Sequence, residues 1–552
     1  MKKQYWFGII TLIVVMGFFP IFNHDKDIKE EELPWYNLTS IFGYMESNLD
    51  KEGKLTVKGN RLPDEERRYK DEKFRWVSGG MDGAFGHHGG GGNSEKDAKN
   101  VADLVKSISQ KNTQSKKVEL YNILLKDNLM DFVDPALEKI GASCVSIEPH
   151  LHEYAKWLAF QSPDRGPVKF GIALLGLIRD KNDMDKIITL GKHEEFTLFS
   201  AVALTNTYEN PEQKLWKLAK FVDGWGKIHI VERLGKTQNP KIKKWLVREG
   251  YKNNIMYEYL AYTCAVGGDL KDELSKPEID EELLNAAGDI IEALINSGPA
   301  EDIDDYDYGA EVVRLYVTHM KSKSDHTLGD FLILHSIKRY LENEEADWKE
   351  RKDKGWTDEL KSALLIDLYK IISAPKWTQI VLEKQNSTDD QEFWQVDQAA
   401  GVLGIDMWDT HWKRLNENPI ESALWYNVMK NTNNERIDQV LSLAIDKLPL
   451  DKIATGPADE LGLGQEYNLH RCLDCLLQDL HKYPTKGFEL IKAGLRSPVT
   501  RNRNMAIKAL SVWGIDNWPE GTKELLEQAE IKEPNKDTKK NIRNILKGQK
   551  IE

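Results

Sequence analysis

Cys472-Leu473-Asp474-Cys475 sets two thiols three residues apart, with His470 two residues before them. That spacing brings two sulfurs together across one helical turn, which suits thiol–disulfide exchange or half of a zinc site. A tetrahedral zinc site needs further ligands, and neither a second C-x-x-C nor an H-x3-H supplies them. The run Leu469 to Leu477 reads instead as one amphipathic helix that carries the cysteines as small side chains. In an extracytoplasmic domain a local disulfide is the alternative. His470, Cys472 and Cys475 are the metal or redox candidates of the chain.

Three other clusters have ligand chemistry. His150-Leu151-His152-Glu153 follows Pro149 at an expected helix start. Positions two apart do not share a helix face, so a joint site would need a turn there, and surface and capping roles fit better. Asp302-Ile303-Asp304-Asp305-Tyr306-Asp307-Tyr308-Gly309 is rich in hard oxygen donors that suit calcium. It lacks the ligand ladder and closing Glu of an EF-hand, so an acidic, solvated loop is expected. His87-His88 lie inside a glycine tract that has neither a dinucleotide fingerprint nor a P-loop frame. No H-E-x-x-H occurs, since His193-Glu194-Glu195-Phe196 stops short of a second His, and there is no Gly-x-Ser-x-Gly elbow.

The elements that position these residues belong to a chain of 552 residues, 40 % hydrophobic and 30 % charged, with a net charge of −13. This is a well-solvated globular composition. Acidic and basic residues are mixed and no basic stripe appears, so nucleic acid is not an expected partner. Four cysteines are too few for a disulfide framework, and Cys144 and Cys264 sit in apolar surroundings as buried thiols. Sixteen tryptophans supply large apolar surfaces that close gaps between helices.

Lys2 and Lys3 precede an apolar run from Tyr5 to Phe22, near the lower limit for a membrane-spanning helix. Met16-Gly17-Phe18-Phe19-Pro20 offers no small-x-small cleavage site, so an uncleaved signal-anchor over residues 1–23 is expected. The soluble part is placed outside the cytoplasm, although Lys26 and Lys29 weaken the charge bias. Residues 24–93 read as a polar stalk and a Gly-rich linker. Eight glycines between Gly79 and Gly92 disfavour a helix.

Beyond residue 94 apolar residues recur at helical spacing, as in Val101, Leu104, Val105 and Ile108. Turn pairs punctuate the pattern: Asn182-Asp183, Asn210-Pro211, Asn239-Pro240 and Gly268-Asp269 are 28, 29 and 29 residues apart. Each follows an apolar stretch, and helix–turn–helix units that stack on one another are expected. Gly404-Ile405-Asp406-Met407-Trp408 and Gly514-Ile515-Asp516-Asn517-Trp518 read as one unit type used twice. The expected fold is all-α, with repeat regions at 94–385 and 386–552.

Val231-Glu232-Arg233-Leu234-Gly235 before Asn239-Pro240, and Arg503 to Gly514 before Trp518-Pro519, resemble the HEAT-repeat class. That resemblance implies an α-solenoid of helix pairs that binds a protein partner. Leu234-Gly235-Lys236-Thr237-Gln238-Asn239-Pro240 and Trp245 to Tyr251 also look like a group of bacterial chains labelled limonene hydroxylase. That resemblance implies a monoterpene monooxygenase with an alcohol dehydrogenase activity, which needs NAD(P) and an oxygen-activating centre. The residues themselves identify no cofactor and no catalytic group. A membrane-tethered scaffold for a protein partner is the expected function, with the oxidoreductase as the alternative.

Overall fold

The computed structural model describes residues 28–70, 75–88, 94–126, 129–143 and 149–551. The expected membrane span at residues 5–22 and Cys144 lie outside these residues. Among the described residues no helix is long and apolar enough to cross a membrane. They are helix-rich, with no strand and two isolated bridges.

The chain forms two compact units, Met1–Glu65 with Ser78–Val222, and Glu66–Val77 with Asp223–Glu552. In the first unit the helix Arg165–Ile178 is packed closely on two sides. A Cβ at Gly171 would lie 2.5 Å from the Ala159 nitrogen in Pro149–Gln161. One at Gly176 would lie 2.8 Å from the Ala203 Cα in Glu194–Thr207. Two glycines on the apolar stretch thus let backbones approach where side chains would hold them apart.

The four expected turns each fall between two helices. Asn182-Asp183 joins Arg165–Ile178 to Met184–Gly191, and Asn210-Pro211 joins Glu194–Thr207 to Glu212–Leu218. Asn239-Pro240 joins Trp225–Leu234 to Pro240–Trp245; the Asn239 side chain caps the second helix and Pro240 occupies its first turn. Gly268-Asp269 joins Ala261–Gly267 to Leu270–Leu274, with Asp269 in the left-handed region at φ 54°. The two Gly-Ile-Asp-x-Trp segments differ in conformation. Gly404 closes its helix with φ 70° and ψ 24°, whereas Gly514 has φ 77° and ψ 155° and leads into a short 3-10 turn.

Two expectations for residues 24–93 are corrected. Ile41, Phe42 and Met45 are buried, and their helix Ile41–Ser47 packs on Pro149–Gln161 and Met184–Gly191 rather than standing in a stalk. The glycine tract opens with a helix, Gly80–His88. Tertiary contacts overcome the low helix propensity of glycine. The Gly79 N–H donates to Glu195 at 3.0 Å and Asp82 accepts from Lys169 at 2.6 Å, so the first turn is fixed by buried charge. The side chains of His87 and His88, and residues 89–93, lie outside the described residues.

Among the described residues of the second unit the longest helix is Glu281–Asn296, of 16 residues. Glu281–Asn296 packs on Leu328–Glu342, which packs in turn on Asp358–Ile372. Tyr316, from Gly309–Ser322, brings its hydroxyl 2.7 Å from where a Cβ of Gly288 would lie. A C-terminal core gathers Trp425, Leu473, Leu477, Ile507 and Leu510.

Candidate functional site

The acidic segment at 302–308 connects Glu281–Asn296 to Gly309–Ser322 and is tightly built. Ser297 leaves the first helix at φ 59°, an uncommon conformation for a residue with a Cβ. Ile303 is buried and its N–H donates to the Leu294 carbonyl at 3.1 Å, which pins the loop to the helix it leaves. Asp302 accepts from the Asp304 N–H at 2.7 Å, and Asp305 accepts from the Asp302 N–H at 3.0 Å. These are side-chain-closed turns of the kind short acids make.

Asp304 is the hinge of the site. One carboxylate oxygen accepts from the Tyr340 hydroxyl at 2.6 Å. Arg351 donates through Nε at 2.9 Å and through Nη2 at 2.7 Å, a forked pair. The Arg351 guanidinium also lies 3.9 Å from the Tyr340 ring centroid and 5.2 Å from that of Trp348. Burial, followed by the hydrogen bond to Asp304, pushes the Tyr340 hydroxyl far above its ordinary range. Glu342 accepts from Lys338 at 2.8 Å and from the Tyr369 hydroxyl, and the Lys338 bond leads in holding its pKa down.

Asp304, Tyr340, Arg351 and Glu342 line a cavity of about 610 Å3, together with Ser297, Ser336 and exposed Arg339. Its walls carry both signs of charge. Asp304 and Glu342 are already saturated by their own neighbours, so neither carboxylate is poised to take a proton from a substrate. The wall residues include no histidine and no cysteine. The acids of 302–307 do not converge as ligands; the loop is braced by Arg351 and Tyr340 rather than being fully solvated. The arrangement is a polar wall whose charged groups are held by one another.

No protein-family model and no curated protein matches this chain. Neither the HEAT class nor the limonene hydroxylase group gains support from such a match. Function therefore has to be argued from the sites themselves.

Cys472 and Cys475 lie on the helix Asn468–Leu480, with Leu473, Leu476 and Leu477 in the core. Both thiols are free; Cys472 is buried and Cys475 half-buried. Burial pushes Cys472 up to about 12 and Cys475 up to about 11, so both stay protonated at neutral pH. Burial also lowers the His470 pKa, with the Ile453 backbone acting in the opposite direction. His470 and the two cysteines do not bring three ligand atoms together.

Among the described residues one triad does: His152, Asp180 and Asp183, within 4.8 Å of one another. His152 Nε2 lies 2.6 Å from Asp183 and 3.8 Å from Asp180. His150 faces Glu153 instead, at 3.8 Å, as expected of positions two apart on a helix. In the sequence His152 stands out as a possible ligand and Asn182-Asp183 as a turn; the D-x-x-D of Asp180 to Asp183 is the local signal for the two carboxylates. Tyr340 and Arg351 carried no local signal, since they reach Asp304 across 36 and 47 residues.

Proposed function

We propose that this chain is a membrane-tethered scaffold of HEAT-like, solenoid-type helix pairs that binds a protein partner. The tether is residues 5–22 and the partner-binding part lies outside the cytoplasm. The observation that supports this reading is the cavity of about 610 Å3, whose carboxylates are spent on bracing its own walls. Such walls present fixed hydrogen-bonding groups and mixed charge to a surface, which is how a polar interface rim recognises a partner. Helix pairs that follow one another through tight turns provide the frame for such a surface.

The test is photo-crosslinking in the cells of origin, with a crosslinking amino acid at Arg339 on the cavity wall or at strongly exposed Ile531 as a control. The expected result is one discrete protein adduct from position 339 and none from 531. Absence of an adduct from 339 overturns the reading. Conversion of limonene by the purified full chain, with oxygen and reduced nicotinamide, would put the monooxygenase in its place.

A further inference from the structure

The acidic segment also lines a second cavity, of about 270 Å3, with the helices Ala261–Gly267 and Leu270–Leu274. Three tyrosines form its aromatic part. Tyr262 and Tyr306 meet edge to face at 6.3 Å, and Tyr306 and Tyr308 do so at 6.1 Å. Tyr306 is buried, while Tyr308 is 49 % exposed at the mouth. Asp269, Asp272 and Asp307 supply carboxylates. Rings and carboxylates around one small space favour an ammonium group, by attraction to the ring faces and by direct pairing.

The chain already places such a group there. Lys271 Nζ lies 4.5 Å from the Tyr308 ring centroid and 3.1 Å from Asp272. Asp269 is held by Lys243 at 2.8 Å, and exposed Asp307 forms no ion pair among the described residues. Three aspartates of the lining are thus met by two lysines, Lys271 within it and Lys243 beside it, which leaves one negative charge in excess. The volume lies just below the range of about 300–1,000 Å3 usual for small-molecule sites, and suits a single side chain.

We propose that this cage takes one lysine side chain from a basic segment of a protein partner, and that Lys271 is the resident cation that the incoming lysine displaces. This rests on the reading of the chain as a protein-binding scaffold. It adds to that reading the chemistry of the partner and the place where it docks.

The test uses the full chain and a fluorescein-labelled hexapeptide of alternating glycine and lysine, with its acetyl-lysine counterpart, by anisotropy at low salt. The chain is expected to bind the lysine form and not the acetylated one. Tyr308→Ala weakens binding by about threefold to tenfold, and Tyr308→Phe, which keeps the ring, stays within about twofold. Lys271→Ala tightens binding by about threefold or more. Lys276→Ala, which removes the same charge outside the cavity, leaves the affinity within about twofold. No binding, or equal affinity in wild type, Tyr308→Ala and Lys271→Ala, overturns the cage. The position-339 adduct separates the two readings. If it persists in Tyr308→Ala while the peptide data are flat, the cage falls and the scaffold stands.

Discussion

At Arg165 and Lys169 in the first compact unit, charged side chains are sealed in with their partners; at Asp304 in the second, a paired carboxylate lines an open cavity. Arg165 and Lys169 lie on one helix and are both buried. Arg165 donates to Asp64 at 2.9 Å and to Glu65 at 2.6 Å, while Lys169 donates to Asp82 and to Glu195, each at 2.6 Å. Asp304, by contrast, meets buried Arg351 but is itself 34 % exposed. The first arrangement cannot lose a member without leaving a charge stranded in low dielectric, so its role is to fix the N-terminal segments onto the helices. The second keeps water at hand and can exchange partners at modest cost. Charge density alone therefore does not distinguish the two arrangements; exposure of the paired groups does.

The largest expected effect breaks the sealed network. Lys169→Met leaves Asp82 and Glu195 buried without their shared ammonium, and should cost about 3–5 kcal/mol in urea denaturation. Adding Glu195→Gln to it should recover part of the loss, because the two residues interact directly. A loss under about 1 kcal/mol for the single variant would mean that water reaches the network. Packing at glycines varies within the units rather than between them. Gly171→Ala meets the Ala159 backbone and should cost about 1–3 kcal/mol. Gly401→Ala, inside Asp390–Leu403 with nothing within 4 Å, should instead stabilise by about 0.5–1 kcal/mol.

Acid should separate the units next. Burial alone would raise the Glu195 pKa, but Lys169 and Arg165 overcome it and hold the carboxyl far below its usual range. For Lys169 burial acts downward, and Asp82 and Glu195 outweigh it to give a raised value. A carboxylate with a depressed folded pKa contributes stability that is complete above its unfolded value, about 4.3, and is lost as pH falls through the folded one. The raised lysine contributes below about pH 10.4 and loses that contribution as pH rises further. In the second unit Arg248 leads in holding Asp280 at about 2, yet Asp280 is largely exposed and solvent screens the pair. Hydrogen exchange between pH 5 and 3 should therefore open Arg165–Ile178 before Glu281–Asn296. The reverse order would remove Glu195 as the acid-sensitive group.

The sequence revealed what local chemistry decides. Asn239-Pro240 announces a helix start because the Asn side chain caps the next turn and the ring of Pro fits its first position. The face of Asn468–Leu480 was legible for the same reason: leucines at helical spacing bury Cys472 with them. Gly80–His88 was not legible, because its glycines argue against a helix and the groups that fix its first turn lie 87 and 116 residues away. The acidic segment misled in a related way. Its composition reads as solvated, and only the distant Tyr340 and Arg351 turn it into a braced wall.

The smallest effect tests whether that bracing matters to the open site. Asp304→Asn keeps the shape and an acceptor for Tyr340, but weakens the pair with Arg351. Because Asp304 is partly exposed, global stability should fall by only about 1 kcal/mol or less. The local change should be larger in kind. With Arg351 less firmly held, amides of residues 302–308 should exchange faster, while those of Leu328–Glu342 stay protected. That pattern would place the loop among the low-stability parts of the second unit, held by one forked ion pair. Unchanged exchange at 302–308 would shift the bracing to Ile303, whose buried side chain and bond to the Leu294 carbonyl remain in the variant. The cavity wall would then be as fixed as the sealed network, and the contrast between the two units would narrow to exposure alone.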